Sequence, residues 1–199
     1  VVPVKHLHLA KTRLGRAFDV RARADLALAF AADVVEAALG TSGVVAVLVV
    51  TDDARAAETL TALGADVVQD LPDAGLNPAL AHGAELLRKE DAGLGVAALS
   101  ADLPALRGAE LTAVLATVRE RGFVTDVAGS GTTLLAAAAG HELLPAYGLH
   151  SRQQHLASGA AELAGSGGLR RDVDTPEDLA DALRLGVGRH TAAAVAALA

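Results

Sequence analysis

Hydrophobic and polar positions along the chain follow two alternating regimes. Short runs rich in valine and leucine, at 1–4, 44–50, 65–68 and 95–99, are bounded by polar or Gly/Pro-containing turns, which predicts buried strands. Between them lie longer Ala/Leu-rich stretches near 22–39, 53–63, 77–90 and 108–121, which predict helices. Alternation of this kind builds βαβ units around a buried sheet, so the fold expected is α/β: three layers with a mixed, mostly parallel sheet. The second half is less regular. Segments 124–128 and 133–138 predict a strand pair around GSGT, followed by a helix over 151–163 and a Gly-rich loop at 165–168. A short extended segment then leads into residues 172–174, and helices at 176–186 and 189–198 close the chain. No repeat, linker or low-complexity break interrupts the pattern, so residues 1–199 are expected to form one domain.

In a sheet of this type ligands bind beyond the carboxyl ends of the strands. Those ends are polar here: KHLHLAKTRLG follows the first strand, TDD the second, QDLPDAGLN the third and SADLP the fourth. AGSGTT, YGLHS and DVD occupy comparable turns later in the chain.

The stretch RRDVDTPEDL sets Asp172 and Asp174 two apart, just before a helix start. Acidic residues are favoured near a helix amino end, and Thr-Pro is a normal cap and first-position pair. That accounts for Glu177 and Asp178, but hardly for Asp172, which precedes the cap. Residues i and i+2 of an extended segment face the same way, so Asp172 and Asp174 are able to share a site with Asp102 of SADLP. A divalent cation would remove their repulsion. Oxygen-only ligation by carboxylates, completed by water and substrate phosphates, suits magnesium.

Composition narrows the chemistry. The net charge is −7, yet residues 5–23 carry six Lys or Arg against the single Asp19. So local a basic stretch suits one or a few phosphates rather than a polyanion, and with 2% aromatic residues there is little to stack on bare bases; nucleic acid is not an expected partner. There is no Cys, which excludes disulfide and thiolate chemistry and fits a cytoplasmic setting. The apolar runs are too short for a membrane span, and no signal-peptide pattern is present. There is no Met either, so the chain is expected to begin upstream of Val1.

Lys5, Lys11 and Arg13, with Arg16 beyond, follow the first strand, where they form either a solvated basic loop or a phosphate grip; their position favours the grip. No Walker loop, G-x-G-x-x-G fingerprint or G-x-S-x-G elbow occurs. Zinc on His150 and His155 is disfavoured, because i, i+5 spacing does not align two imidazoles on one helix face. GSGTT and YGLHS, taken singly, read as ordinary turns. Beside three acids and a basic loop they suggest a second anion site, with small residues admitting backbone N–H groups and Ser151 opening a helix.

The order VPVK, AKTRL, GLNPAL, ADLPAL, GTTLL, YGLHSRQQH and DVDTPEDL resembles the 2-phospho-L-lactate guanylyltransferase family of deazaflavin coenzyme F-420 biosynthesis, including its members that use phosphoenolpyruvate. The resemblance runs to about residue 185 and implies a nucleotidyltransferase fold of the nucleotide-diphospho-sugar transferase type. It further implies GTP-dependent transfer of GMP to a small phosphorylated acid, with release of pyrophosphate. Asp102, Asp172 and Asp174 match the family's magnesium-binding acids, and Thr133, Gly148 and Ser151 its positions for the phosphorylated acid. Lys5, Lys11 and Arg13 match the basic nucleotide-phosphate loop, with Asp102 among the catalytic set. Gly75, Leu76 and Asn77 fall where base and sugar are expected. SGTT stands where the family more usually has Gly-Gly-Thr-Asn. The Ala-rich, Lys-poor composition suggests a high-GC bacterial source and leans toward phosphoenolpyruvate as acceptor. The rival readings are a molybdopterin or sugar nucleotidyltransferase of the same fold, and a nucleotide-binding regulatory domain without turnover. The next enzyme of the pathway is a candidate partner for a labile product.

Overall fold

β1 (Val2–Pro3), β2 (Leu48–Val50) and β3 (Asp66–Val68) run parallel, with Val2 opposite Val49 and Val49 opposite Val67. The computed structural model describes residues 1–71 and 73–198, and for Arg16 the backbone alone. Pro72 of the third turn and the Arg16 side chain thus lie outside the described residues. β4 (Val96–Leu99) joins β1 on its other side: Leu99 N–H donates to the Val1 carbonyl at 3.0 Å, and the Val1 nitrogen donates to the Ala97 carbonyl at 2.6 Å. That is the slanted pattern of a parallel pair. β6 (Leu134–Ala137) runs antiparallel between β4 and β5 (Arg121–Val124), and β7 (Ala161–Glu162) pairs parallel with β5. Among the described residues the result is one mixed sheet, ordered β3-β2-β1-β4-β6-β5-β7, in which β6 alone is reversed.

Strand alternation sends successive side chains to opposite faces, and each face has its own helical layer. Val2, Val49, Leu99, Val124 and Leu134 pack against α1 (Val20–Leu39), α2 (Ala54–Ala62) and α4 (Gly108–Leu115) through Ala31, Val35, Leu60, Leu111 and Val114. Their neighbours Ala98, Phe123 and Leu135 turn the other way, onto Leu80 and Ala84 of α3 (Leu76–Glu90). With few aromatic residues, close approach of Ala-rich helices fills the core. A third cluster, of Leu14, Leu26, Phe30, Val173 and Leu179, fastens α7 (Pro176–Leu185) to α1. The Asp33 carboxylate of α1 accepts the His190 and Thr191 N–H groups, each at 2.9 Å, and so docks the amino end of α8 (Arg189–Ala196). No helix among the described residues is long and apolar enough to cross a membrane.

The strands and helices expected in the first half are present; the second half departs from expectation. The helix expected to run to 121 stops at Leu115, and 121–124 forms β5. The helix expected over 151–163 is α5 (Ser151–Ala157): Gly159 adopts φ +84°, the left-handed conformation that ends helices, and 161–162 pairs as β7. Residues 165–168 are not simply a loop, because α6 (Gly167–Arg170) begins within them. A short helix, not an extended segment, therefore leads toward Asp172.

Candidate functional site

The chain leaving β1 is held by Asp53. Its carboxylate accepts the Leu7 N–H at 2.9 Å and caps α2 through the Ala56 N–H at 3.0 Å. Partial burial opposes its ionisation, but the backbone donors of Leu7, Ala56 and Arg55 outweigh that and hold its pKa below the usual carboxylate range. Past this anchor Lys11 takes a left-handed backbone, φ +53°, before a tight turn over Thr12–Arg16. Its side chain runs inward, and Lys11 Nζ lies 2.5 Å from Asp102 Oδ2 and 3.0 Å from Asp174 Oδ1. Burial favours the neutral amine, but Asp102 and then Asp174 outweigh it and raise the Lys11 pKa above its ordinary value. Arg13, largely exposed, reaches Asp174 Oδ2 at 3.4 Å, while Lys5 stands exposed where the loop begins.

Asp102 and the 172–174 segment arrive from distant parts of the sequence and meet through the backbone: Val173 N–H donates to the Asp102 carbonyl at 3.0 Å. Val173 is fully buried beside Leu14 and Phe30, so alternation turns Asp172 and Asp174 away from the core. Neither acid is spent on the helix that follows. Thr175 caps α7 in a reciprocal box with Asp178, whose carboxylate accepts Thr175 N–H at 2.9 Å and Thr175 Oγ1–H at 2.8 Å. Asp172 pairs with no Lys or Arg among the described residues. Burial first, then Asp102, Asp174 and Asp126, push its pKa up to about 7. A partly buried set of oxygen donors with one acid uncompensated fits a hard divalent cation. In the present state the positive charge between Asp102 and Asp174 is the Lys11 ammonium.

Among the described residues, the group whose ligand atoms converge within 4.8 Å is instead Asp33, Glu36 and His190. The two carboxylates of that group are already engaged: Asp33 with the first turn of α8, and Glu36 with Arg189 at 2.7 Å.

A second assembly surrounds the start of β6. Thr133 is buried, its hydroxyl 3.4 Å from the Val124 carbonyl. Gly148 adopts φ +127°, and Ser151, also buried, opens α5 with its N–H on the Gly148 carbonyl at 3.1 Å. Arg152 N–H donates to the Ser130 carbonyl at 3.2 Å and draws the GSGTT and YGLHS turns together. Gly75, at φ +102°, precedes Leu76, the first residue of α3, and Asn77 follows; the Asn77 amide faces Tyr147 rather than open space.

The structure thus brings together Lys11, Arg13, Asp102, Asp172 and Asp174, and separately Thr133, Gly148 and Ser151, with Gly75, Leu76 and Asn77 joined to the second group through Tyr147. Sequence reasoning assigned no role to Asp53, Asp126, Tyr147 or His155. Asp53 carried a signal, an N-cap aspartate before an Ala-rich helix; Asp126, Tyr147 and His155 draw their roles from residues that only the fold brings beside them. His155, weighed as a metal ligand, is fully buried and engaged at both ring nitrogens. An apolar cleft of about 670 Å³ opens at the opposite end of the sheet, lined by Val45, Val47, Leu94 and Leu115 among others, and contains none of these residues.

The architecture is that of the nucleotidyltransferases. A nucleotidyl transferase from Methanothermobacter thermautotroptrophicus superposes with TM-score 0.56, at 19% identity, over 92% of this chain and 97% of its own. A crystal structure from Desulfovibrio desulfuricans G20, named for a nucleotide-diphospho-sugar transferase, gives TM-score 0.65 at 18% identity over 89% of this chain and 82% of its own. Sequence relationships are much closer. The model of the family described as "Guanylyl transferase CofC like" matches residues 1–198, and the chain belongs to that family. The phosphoenolpyruvate guanylyltransferase of Streptomyces coelicolor is 56% identical over 202 residues, covering 100% of this chain and 95% of that protein. The phosphoenolpyruvate guanylyltransferase of Thermomonospora curvata is also 56% identical, over 98% of this chain and 87% of its own. The chain is accordingly a nucleotidyltransferase of the guanylyl-transferring kind.

Proposed function

We propose that this enzyme joins GMP from GTP to phosphoenolpyruvate and releases pyrophosphate, in deazaflavin coenzyme F-420 biosynthesis. A phosphate oxygen of phosphoenolpyruvate attacks the α-phosphorus of GTP, the bond from that phosphorus to the β-phosphate's bridging oxygen breaks, and the electron pair leaves with pyrophosphate. A phosphate monoester, with a second pKa of about 6, is already largely dianionic near neutrality, so no side chain needs to take a proton from the nucleophile. Catalysis then rests on alignment and on neutralising charge.

Lys5, Lys11 and Arg13 hold the triphosphate. The first turn of α3, at Gly75, Leu76 and Asn77, receives base and sugar through its backbone. Thr133, Gly148 and Ser151 hold the acid, with the Gly148–Ser151 turn offering N–H groups to an anion. Asp102, Asp172 and Asp174 would hold magnesium, which when bound supplies Lewis-acid neutralisation of the phosphate oxygens. The observation that carries this reading is the buried Lys11 ammonium between Asp102 and Asp174, a basic loop and an acidic cluster meeting at the carboxyl ends of the strands. The absence of Cys and a substrate pair of GTP and a phosphorylated acid support a cytoplasmic setting.

The test is pyrophosphate release from GTP and magnesium with phosphoenolpyruvate or 2-phospho-L-lactate, the next enzyme of the pathway being present to draw off a labile product. Release with phosphoenolpyruvate alone is expected. Release with 2-phospho-L-lactate alone would move the acceptor assignment, and release with neither would overturn the reading.

A further inference from the structure

Two consecutive residues before the Gly148 turn are gripped from three directions, by the His155 and Asn77 side chains and by the Ala98 carbonyl. The Ala146 N–H donates to His155 Nε2 at 3.0 Å. The Tyr147 N–H donates to Asn77 Oδ1 at 2.7 Å, and Asn77 Nδ2 donates back to the Tyr147 carbonyl at 3.0 Å. The Tyr147 hydroxyl donates to the Ala98 carbonyl of β4 at 3.0 Å. The Asn77 amide therefore pairs with Tyr147 as a strand's peptide group would, using a donor and an acceptor at once.

His155 completes the grip from beneath. Because its Nε2 accepts a backbone N–H, the neutral ring carries its proton on Nδ1, which donates to Thr132 Oγ1 at 2.9 Å. The ring packs between Phe123 and Tyr147, with centroids 5.5 and 5.6 Å away. One buried imidazole thus fixes both the residue before Thr133 and the approach to Gly148. Immediately beyond the grip the chain changes character: Gly148 and His150 take positive φ, Leu149 is 81% exposed, and Ser151 is buried again. Such a turn gains its aim from its anchors rather than from packing of its own.

We infer that Asn77 and His155 are positioning residues that set the acid-binding turn at 148–151, Asn77 doing so from the helix whose amino end faces the nucleotide. This rests on the function proposed above and assigns the Asn77 side chain to Tyr147, not to the base or sugar. Wild type, N77A, H155L and H155Q are compared for steady-state kinetics with both substrates, and for amide hydrogen exchange at 144–152. N77A and H155L are expected to raise KM for phosphoenolpyruvate about tenfold or more while KM for GTP stays within about twofold, with faster exchange at Ala146 and Tyr147. H155Q, whose carbonyl oxygen is able to accept the Ala146 N–H, is expected to recover most of the loss, as a general defect in folding would not. A rise confined to KM for GTP in N77A, or unchanged exchange at Tyr147, would overturn the inference. If wild type itself releases no pyrophosphate with phosphoenolpyruvate, the functional reading fails first and takes the inference with it.

Discussion

Lys11 Nζ lies 2.5 Å from Asp102 Oδ2, so an ammonium delivered from the end of the first strand neutralises an acid at the end of the fourth. The cluster is only partly buried, so losing the lysine is expected to cost less than the roughly 3–5 kcal/mol of a fully buried pair, while still leaving the acids uncompensated. For K11M a lower melting temperature is expected, together with a larger rise on adding magnesium than wild type shows, since a cation then meets acids that no ammonium holds. Thermal unfolding with and without magnesium checks this; an equal magnesium response in both proteins would argue against a shared place for ammonium and metal.

Asp172 and Asp174 are not used to cap α7, a task that falls to Thr175 and Asp178. D172N is therefore expected to fold with a melting temperature close to wild type or higher, since it relieves repulsion among like charges, whereas D174N, which gives up its pairing with Lys11 and Arg13, is expected to fold with a modestly lower one. Magnesium-dependent pyrophosphate release is expected to fall by at least about a hundredfold, the scale of losing one electrostatic contact to a phosphoryl-type transition state. Unchanged turnover in both variants would remove these acids from the site.

Gly168 sits where no side chain fits. A β-carbon there would overlap the Ala105 carbonyl oxygen and crowd the Glu110 carboxylate, which accepts the Gly168 N–H at 3.1 Å and the Ser166 hydroxyl at 2.7 Å. G168A is expected to destabilise the protein by about 2 kcal/mol or more, as overpacking against backbone does. Because α6 leads directly to Asp172, kcat should fall further than the lost stability explains. Urea unfolding and kinetics measured on the same sample separate the two effects.

The imidazole of His155 is buried and its pKa is depressed to about 4, first by burial and then by the Arg121 charge, against about 6.5 in an unfolded chain. The unfolded state thus binds the proton more readily. The stability linked to this group is complete above about pH 6.5, declines as the solution is acidified toward pH 4, and is gone below it. The amount is on the order of 3 kcal/mol. H155Q, which has no such proton to bind, is expected to show a flatter stability curve across that window. Parallel slopes for the two proteins would contradict this account.

Much of this arrangement is legible in sequence wherever a residue's role depends on its near neighbours. Alternating short Val-rich and long Ala-rich runs place the first four strands and the turns that follow them, and Asp172 and Asp174 stand out because the Thr175 cap leaves them unexplained. Legibility ends where an element is made by its partners. β7 is two exposed residues with no pattern of their own, and becomes a strand because β5 offers it an edge. α6 forms where glycines allow the chain to approach α4. Asn77 reads as a ligand contact because it follows Gly-Leu at a strand-end turn, and only the fold reveals Tyr147 opposite it. The meeting of Lys11 with Asp102 was implied by their common end of the sheet, but not its closeness, which depends on a left-handed lysine that sequence alone does not forecast.

The reversed strand β6 starts beside the site and finishes at the far end of the sheet, so the chain must travel the sheet's full height before Gly148 can take its place. That return runs alongside α3 and is tied to it twice: Arg88, near the helix's carboxyl end, donates to the His141 carbonyl, and Asn77, near its amino end, holds Tyr147. Eleven helical residues span about 16 Å, and the six-residue step from 141 to 147, with an extended reach of about 20 Å, bridges that distance with little slack once Leu144 takes its left-handed turn. The helix therefore acts as a gauge for the crossing. A residue inserted into either partner would throw the turn out of alignment, so segments 76–90 and 138–150 are expected to be interchangeable between relatives only as a pair.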